Sequence, residues 1–343
     1  MLFKAENNAK ADEIRQYISV NSSISFDSLL PHIESAESKY IKKILGREQY
    51  LELCAYYSDP LAWPPIERIP KTHEDWLAKL LKLVQKSLIN LALLDGFAIL
   101  SVNIGDSGAF RKETDSQKPL FQYQEENLKN TFRTEGFNTL DAILEFLEEN
   151  INNFPIFKES DTYTVFKSKF IPTATVFNEY YNIGGSRLVF LHLQKYIDLV
   201  NDFSIIPVIG RSFFDELIVA MTSGVDLTDK QKSVIRFIQK IQAFLSVSKG
   251  IATLGMNITH NGTYFISDGT NSSNFRKKDP ASIENLRLDI KNTQQTGQAY
   301  IDYLKDYLHD NIEDFPTYAE FNAYNQGEPT DHRDNTDKKT FWA

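Results

Sequence analysis

The chain contains the same series of residues twice, and this duplication limits the folds that it can adopt. Residues 96–108 and 250–262 are identical at six of thirteen positions without a gap, where ordinary composition predicts about one. Further matches at one constant offset are Phe26 with Phe190, Ile33 with Ile197, Ile41 with Ile205, Gly46 with Gly210, Arg47 with Arg211, Glu52 with Glu216 and Leu53 with Leu217. Downstream, Asn150–Phe157 returns as Asn311–Tyr318. Because unrelated amphipathic helices do not share Gly-Arg and Phe-Pro pairs in register, we interpret the chain as a tandem repeat.

The duplication predicts two domains and a tail. The first repeat is expected over residues 1–158 and the second over residues 159–320, with a polar C-terminal tail over residues 321–343. A chain of 343 residues is long enough for each repeat to bury its own core. Residues 162–166 and 170–177 are rich in Thr, Val, Phe and Ile, so the second repeat is expected to start with an extended linker, 159–189.

Each repeat is predicted to be a helical bundle with the same order of elements. A first amphipathic helix ends at Gly46 in one repeat and at Gly210 in the other, since glycine enters the left-handed region at the lowest cost. A short helix follows, and then a long helix that is apolar on more than one face and belongs at the centre of its bundle. The last helix of each repeat is predicted to end at Pro155 and Pro316, because proline cannot continue a helix. The fold class is therefore mainly α, with two tandem pseudo-repeated bundles.

A short β-hairpin or loop insertion is predicted after each long central helix. Asn261-Gly262 lies between two short β-prone runs, which is a strong signal for a hairpin tip. Ser107-Gly108 occupies the same place in the first repeat. These four residues are the predicted tips.

The charge of the chain argues against a general affinity for nucleic acid. The net charge is −9, whereas binding to a phosphate backbone relies on clustered Lys and Arg. One local basic cluster, Arg276-Lys277-Lys278, follows the second predicted hairpin. It is interpreted either as solvated loop charge or as a loop that touches nucleic acid or an acidic partner. No stretch reaches the roughly 18 uninterrupted apolar residues of a membrane span, so no membrane contact is expected.

No catalytic motif is visible in the sequence. The phosphate-binding GxxxxGK, the dinucleotide-binding GxGxxG, the zinc-binding HExxH and the GxSxG nucleophile elbow are all absent. The six histidines are scattered and none pairs with another at metal-ligand spacing. We therefore expect no catalytic residue, no cofactor and no metal, and a protein that is not an enzyme.

The last part of the sequence is a polar stretch that is followed by two aromatic residues. Residues 322–339 are polar, yet Phe341 and Trp342 follow them. This pattern is interpreted either as a segment whose aromatic residues dock on a surface or as an unanchored end.

The residues of the first repeat resemble a known family. The segment Tyr40–Tyr50, the long helix after it and the glycine-bearing loop are similar to helical head–tail connector proteins of tailed phages, and more closely to phage and prophage proteins of gut anaerobes. The resemblance implies a non-enzymatic virion protein, assembled in the cytoplasm of the host bacterium. It would form a ring below the portal, bridge to the tail and surround the DNA channel. Its partners would be copies of itself in a cyclic homo-oligomer such as a dodecamer, the portal and other tail or connector proteins, with non-specific passage of DNA.

Two other functions stay open from the sequence. One is an intracellular helical scaffold or protein-binding module that forms no ring. The other is an enzyme with a site in the cleft between the repeats, although the repeated residues are mainly glycines and apolar residues with one arginine (Arg47 and Arg211).

Overall fold

The computed structural model separates the chain into two compact units. It describes residues 1–8, 11–20, 25–59, 72–105, 108–111, 120–223, 226–254, 256–259, 262–265 and 283–326. The first unit comprises Met1–His192 and Met256–Pro280, and the second comprises Leu193–Gly255 and Ala281–Ala343.

The two repeats contain the same helices in the same order. The helices of the first repeat are α1 (Phe26–Ala36), α2 (Lys42–Leu45), α3 (Arg47–Ser58), α4 (Thr72–Leu100), α5 (Gln122–Glu149) and α6 (Pro155–Lys158). Two further helices follow α6, namely α7 (Asp161–Lys167) and α8 (Ala174–Tyr180). The helices of the second repeat are α9 (Arg187–Val200), α10 (Ile206–Ile209), α11 (Arg211–Thr222), α12 (Asp229–Leu254), α13 (Ile283–Asp310) and α14 (Pro316–Gln326). The predicted class, mainly α with two tandem repeats, is confirmed.

A two-stranded antiparallel pair follows each long central helix in the chain. The strands are β1 (Val102–Gly105) with β2 (Gly108–Arg111), and β3 (Met256–Thr259) with β4 (Gly262–Phe265). Gly105 is opposite Gly108 in the first pair, and Thr259 is opposite Gly262 in the second. Within the described residues each pair is a separate sheet.

The first helix of each repeat contains one π-helical turn at the same place. Residues Glu37–Ile41 join α1 to α2, and residues Asn201–Ile205 join α9 to α10. Such turns are rare, so their repetition at matching positions supports a common origin for the two repeats.

Gly46 and Gly210 end these helices, as the sequence predicts. Their backbones have φ 75° with ψ 168° and φ 83° with ψ 146°, so φ is positive but ψ is extended rather than left-handed helical. This region of the φ/ψ map is open almost only to glycine. A Cβ atom on Gly46 would also lie 2.9 Å from Thr162 Oγ1 of α7. Both the backbone and the packing therefore require glycine.

The prediction that Pro155 and Pro316 end the last helices is wrong. The long helices α5 and α13 already end at Glu149 and Asp310, and a 3-10 turn separates them from each proline. Each proline is instead the first residue of the next helix, where its missing N–H would have no helical partner in any case.

Asparagine closes both long helices in place of proline. The side chain of Asn150 donates to the carbonyl of Phe146 at 2.8 Å, and that of Asn311 donates to the carbonyl of Tyr307 at 2.9 Å. The long helices therefore end at the repeated Asn-Ile pair and not, as predicted from the sequence, at the Phe-Pro pair that follows it.

The linker over residues 159–189 is helical rather than extended. Ser160 Oγ accepts from the backbone N–H of Tyr163 at 3.1 Å and starts α7. Thr173 Oγ1 accepts from the N–H of Val176 at 3.2 Å and starts α8. These N-caps, together with burial of Phe177, outweigh the β preference of the Thr and Val residues. The predicted tail is also shorter, because α14 continues to Gln326.

Close packing of two long helices forms the centre of each unit. A Cβ atom on Gly136 of α5 would overlap the side chain of Leu91 of α4, and Ser87 Oγ of α4 donates to the Gly136 carbonyl at 2.9 Å. In the second unit, a Cβ atom on Gly297 of α13 would overlap Leu245 of α12. The same glycine–leucine contact therefore sets the distance between the long helices of both repeats.

A buried ion pair fixes the end of the first unit to α5. Arg187 donates to the Asp141 carboxylate, and the second oxygen of Asp141 accepts from the backbone N–H of Ala174 at 2.7 Å. Burial raises the pKa of the Asp141 carboxyl, and Arg187 opposes this effect. The pair therefore joins α5 to α8 and to the start of α9.

Replacing Gly46 with alanine should lower the free energy of unfolding by about 2 kcal/mol, because the backbone conformation is strained for alanine and Thr162 blocks the new methyl group. Chemical denaturation followed by circular dichroism measures the loss. The control is Gly185→Ala, at a positive φ of 62° with nothing within 4 Å, which should cost only about 1 kcal/mol. If both variants lose the same free energy of unfolding, the contact with Thr162 does not contribute to stability.

Replacing Arg187 with methionine should destabilise the protein by about 3 kcal/mol at pH 8, since a buried carboxylate loses its cation. The change raises the folded-state pKa of Asp141 further above its unfolded value. A raised folded pKa gives stability that is present at low pH and lost as pH rises through that pKa. The destabilisation should therefore be smaller at pH 5 than at pH 8 in denaturant melts.

The double variant Asp141→Asn, Arg187→Met removes both charges and serves as the control. It should lack the additional fall in stability between pH 5 and pH 8 that Arg187→Met shows. A pH dependence that persists in this double variant would assign the effect to other groups.

Candidate interaction site

The structure places only some of the residues that the sequence singles out. Gly46 and Gly210 lie at helix junctions, Pro155 and Pro316 begin helices, and Gly108 and Gly262 begin β2 and β4. The remaining predicted tip, cluster and docking residues lie outside the described residues: Ser107, Asn261, Arg276, Lys277, Lys278, Phe341 and Trp342. The placed residues have architectural positions and do not converge on one site.

An open groove of about 720 Å³ lies on the second unit, between α10, the C-terminal part of α13, and α14. It is called the α10–α13 groove below. Its lining is Ile206, Pro207, Val208, Arg211, Lys305, Asp306, His309, Tyr318, Phe321 and Asn322. An apolar floor with charged side chains at the rim suits a peptide segment with aromatic residues.

The corresponding place in the first unit is filled by α7. Tyr163 of α7 packs on Phe157 with ring centroids 5.4 Å apart, and Lys167 pairs with Glu148 at 2.7 Å. By the repeat alignment, Tyr318 corresponds to Phe157 and His309 to Glu148. Both of these counterparts line the α10–α13 groove.

One residue explains why the two units differ here. Ser160 caps α7 and lets the chain turn back over α2. Its counterpart is Phe321, which cannot cap a helix, so α14 runs on through this point. The Phe321 ring packs against Gly210, where a Cβ atom would lie 2.6 Å from its Cγ. Residues 322–326, which align with the start of α7, therefore continue α14, and α14 contacts α10 as α7 contacts α2.

The charged residues of the α10–α13 groove are two cations and one anion. Arg211, Lys305 and His309 are exposed there, with Asp306 as the acidic lining residue. At the floor, burial raises the pKa of the Tyr318 hydroxyl, so it stays protonated at neutral pH. The groove can accept apolar side chains below and carboxylates at its edge.

Exposed apolar side chains lie on the outer face of α9 and its π turn, next to α10. Phe203 is 72% exposed and Leu199 is 41% exposed, four residues apart. In the first repeat, the counterpart of Phe203 is Lys39, which pairs with Asp95 at 2.9 Å. The second repeat thus replaces a solvated ion pair with apolar surface.

A buried polar network in the first unit has a structural explanation. Glu37 Oε1 accepts from the backbone N–H of Leu2 at 2.6 Å, and Oε2 accepts from the Tyr50 hydroxyl at 2.7 Å. Gln85 donates to the Leu2 carbonyl and to Glu13, each at 2.7 Å. Burial raises the pKa of Tyr50, which keeps this donor protonated. The network holds the N-terminal segment against α3 and α4.

Among the described residues, no group of three or more His, Cys, Asp or Glu side chains could hold a metal ion. Helix α4 contains a segment, Asp75–Leu100, that is long and apolar enough to cross a membrane by length and composition alone. In this structure 56% of its most apolar window is buried, and Leu80, Val84 and Leu88 lie in the core of the first unit. The segment is explained by its place at the centre of a bundle.

Comparison with known proteins identifies a family without a known activity. A model for a family of unknown function, DUF6712, matches residues 41–167 and again residues 205–328. The two matches begin at Ile41 and Ile205, the last residues of the two π turns. No curated protein and no solved structure matches the chain. Because the two matches together cover more than half of its length, the chain belongs to the DUF6712 family of unknown function and contains the family's unit twice.

Proposed function

We propose that this chain is a non-enzymatic structural protein of a tailed-phage virion, a head–tail connector or adaptor that forms a ring between portal and tail. The proposal rests on the resemblance of Tyr40–Tyr50 and its counterpart to helical connector proteins. The surface observation that carries it is the apolar outer face formed by Leu199 and Phe203. Its partners would be further copies of the chain, the portal and other tail proteins, within a virion assembled in the bacterial cytoplasm.

The apolar outer face supports assembly because its exposure is unfavourable in an isolated chain. Phe203 offers almost three quarters of its surface to solvent. Exposed apolar side chains that lie four residues apart on one helix can form part of an interaction surface. A second copy of the chain is the partner that the proposal requires.

A ring needs two different patches on each subunit, since each subunit contacts its neighbours head to tail. A tandem repeat provides them when its two copies differ at the surface. Here Lys39 with Asp95 makes one copy charged, and Phe203 makes the equivalent place on the other copy apolar. The net charge of −9 also suits a channel for DNA, because it repels the duplex instead of retaining it.

A second candidate is an intracellular helical scaffold or protein-binding module that forms no ring. The α10–α13 groove favours it, since a groove with an apolar floor can hold a peptide helix. Such a protein would stay monomeric or dimeric and would bind a peptide.

The ring proposal predicts cyclic oligomers of the purified protein, alone or with a portal protein, in mass photometry and electron microscopy. Replacing Phe203 with lysine restores the residue of the first repeat. This change should raise the protein concentration at half-assembly at least about tenfold, since a buried aromatic contact is replaced by a charge.

Val219→Lys is the matched control, because Val219 of α11 is also exposed, at 63%, and lies outside the apolar outer face. It should leave assembly unchanged. The proposal would be contradicted if the chain stays monomeric at micromolar concentration and does not bind portal protein.

A further inference from the structure

We propose that the apolar outer face of one copy binds the lysine face of the next copy, which is formed by Lys39, Lys42 and Lys43 of the first repeat. The inference rests on the ring proposal and names its two contacting surfaces. Each face lies on the first helix of a repeat, at the π turn. The contact is head to tail, because its two sides consist of different residues.

The two faces occupy equivalent positions but differ in chemistry. The second repeat has an apolar residue at each of four positions that are polar in the first repeat. The replacements are Ser35 by Leu199, Lys39 by Phe203, Lys42 by Ile206 and Lys43 by Pro207. These positions are three or four residues apart, or adjacent, and therefore share one side of the helix. The duplication thus provides two unlike patches on matching elements.

The lysine face has cations that are available to a partner. All three lysines are exposed. Lys39 pairs with Asp95 at 2.9 Å, and Lys42 donates to Ser38 Oγ at 3.3 Å. Lys43 forms no ion pair with any of the described residues. Two of the three ammonium groups are therefore without a carboxylate in the described part of the chain.

Acidic residues lie beside the apolar outer face. Asp198 and Asp202 are exposed and directly precede its two residues. Neither is in an ion pair within the described ranges. Each face also has an opposite charge on the preceding turn, namely Lys195 and Glu34. When these two residues and Asp95 are counted, the apolar outer face remains acidic and the lysine face remains basic.

An antiparallel contact between the two helices brings these groups together. Asp198 and Asp202 then approach the ammonium groups of the lysine face, and the Phe203 ring packs on a lysine stem with the cation over its face. Two lysine faces would repel each other. The charges therefore favour the pairing of unlike faces over that of like faces.

Charge reversal on each face tests the proposal. One variant carries Lys42→Glu with Lys43→Glu, and the other carries Asp198→Lys with Asp202→Lys. Each variant alone should raise the protein concentration at half-assembly at least about tenfold in mass photometry, because like charges then face each other. Lys82→Glu is the matched control, since Lys82 is exposed on α4 outside both faces, and it should leave assembly unchanged.

An equimolar mixture of the two charge-reversed variants separates the contact from an effect on folding. Each reversed face meets an oppositely charged face on the other variant. Assemblies of alternating variants should therefore form, at a concentration within about threefold of that for the parent protein. A variant that had lost its fold would not recover assembly on mixing, and circular dichroism of each variant should show the helical content of the parent.

The pairing is overturned if the parent assembles and either variant alone assembles equally well, or if the mixture does not recover. These results leave the ring proposal intact and assign its contact to other surfaces. Two-fold pairing of apolar outer faces would leave the variant with Lys42→Glu and Lys43→Glu unaffected. Variants that assemble but no longer bind portal protein would assign the faces to the portal and also overturn the pairing. A parent protein that stays monomeric overturns both proposals.

Discussion

The contact between a glycine of one long helix and a leucine of the other determines the distance at which the two helices of each repeat pack. Gly136 receives Leu91 in the first unit, and Gly297 receives Leu245 in the second. With any larger residue at the glycine, the helix axes would have to move apart, and the layers of apolar side chains on either side would lose contact. In the first repeat α1 packs on α4, so the position of α1 depends on this distance as well.

The helical class and the order of the repeated elements were predictable, because they follow from apolar spacing and from glycines at helix ends. Gly46 and Gly210 are examples in which a local backbone requirement is visible in the sequence. The α7–α8 region was missed because β preference was weighed without the Ser160 and Thr173 caps. The roles of Pro155 and Pro316 were reversed, since proline is equally compatible with the first residue of a helix.

The α10–α13 groove could not be predicted from either repeat alone. Its origin is the exchange of Ser160 for Phe321, which removes a cap and lets α14 continue. The alignment of the two repeats contains this exchange, yet its effect is visible only in the structure, where α6 and α7 are separate helices and their counterpart α14 is one helix. The buried pair of Asp141 and Arg187 was missed for a related reason, because its partners are 46 residues apart and only the fold brings them together.

The distribution of differences between the repeats bears on function. Positions that determine helix geometry, such as Gly46 with Gly210, are identical. The differences at the surface include the replacement of Lys39 by Phe203 and of Ser160 by Phe321. If the second copy were only a spacer, a solvated lysine at the position of Phe203 would avoid the cost of an exposed aromatic ring. The two halves therefore keep one architecture, while the exposed side chains of the second differ from those of the first.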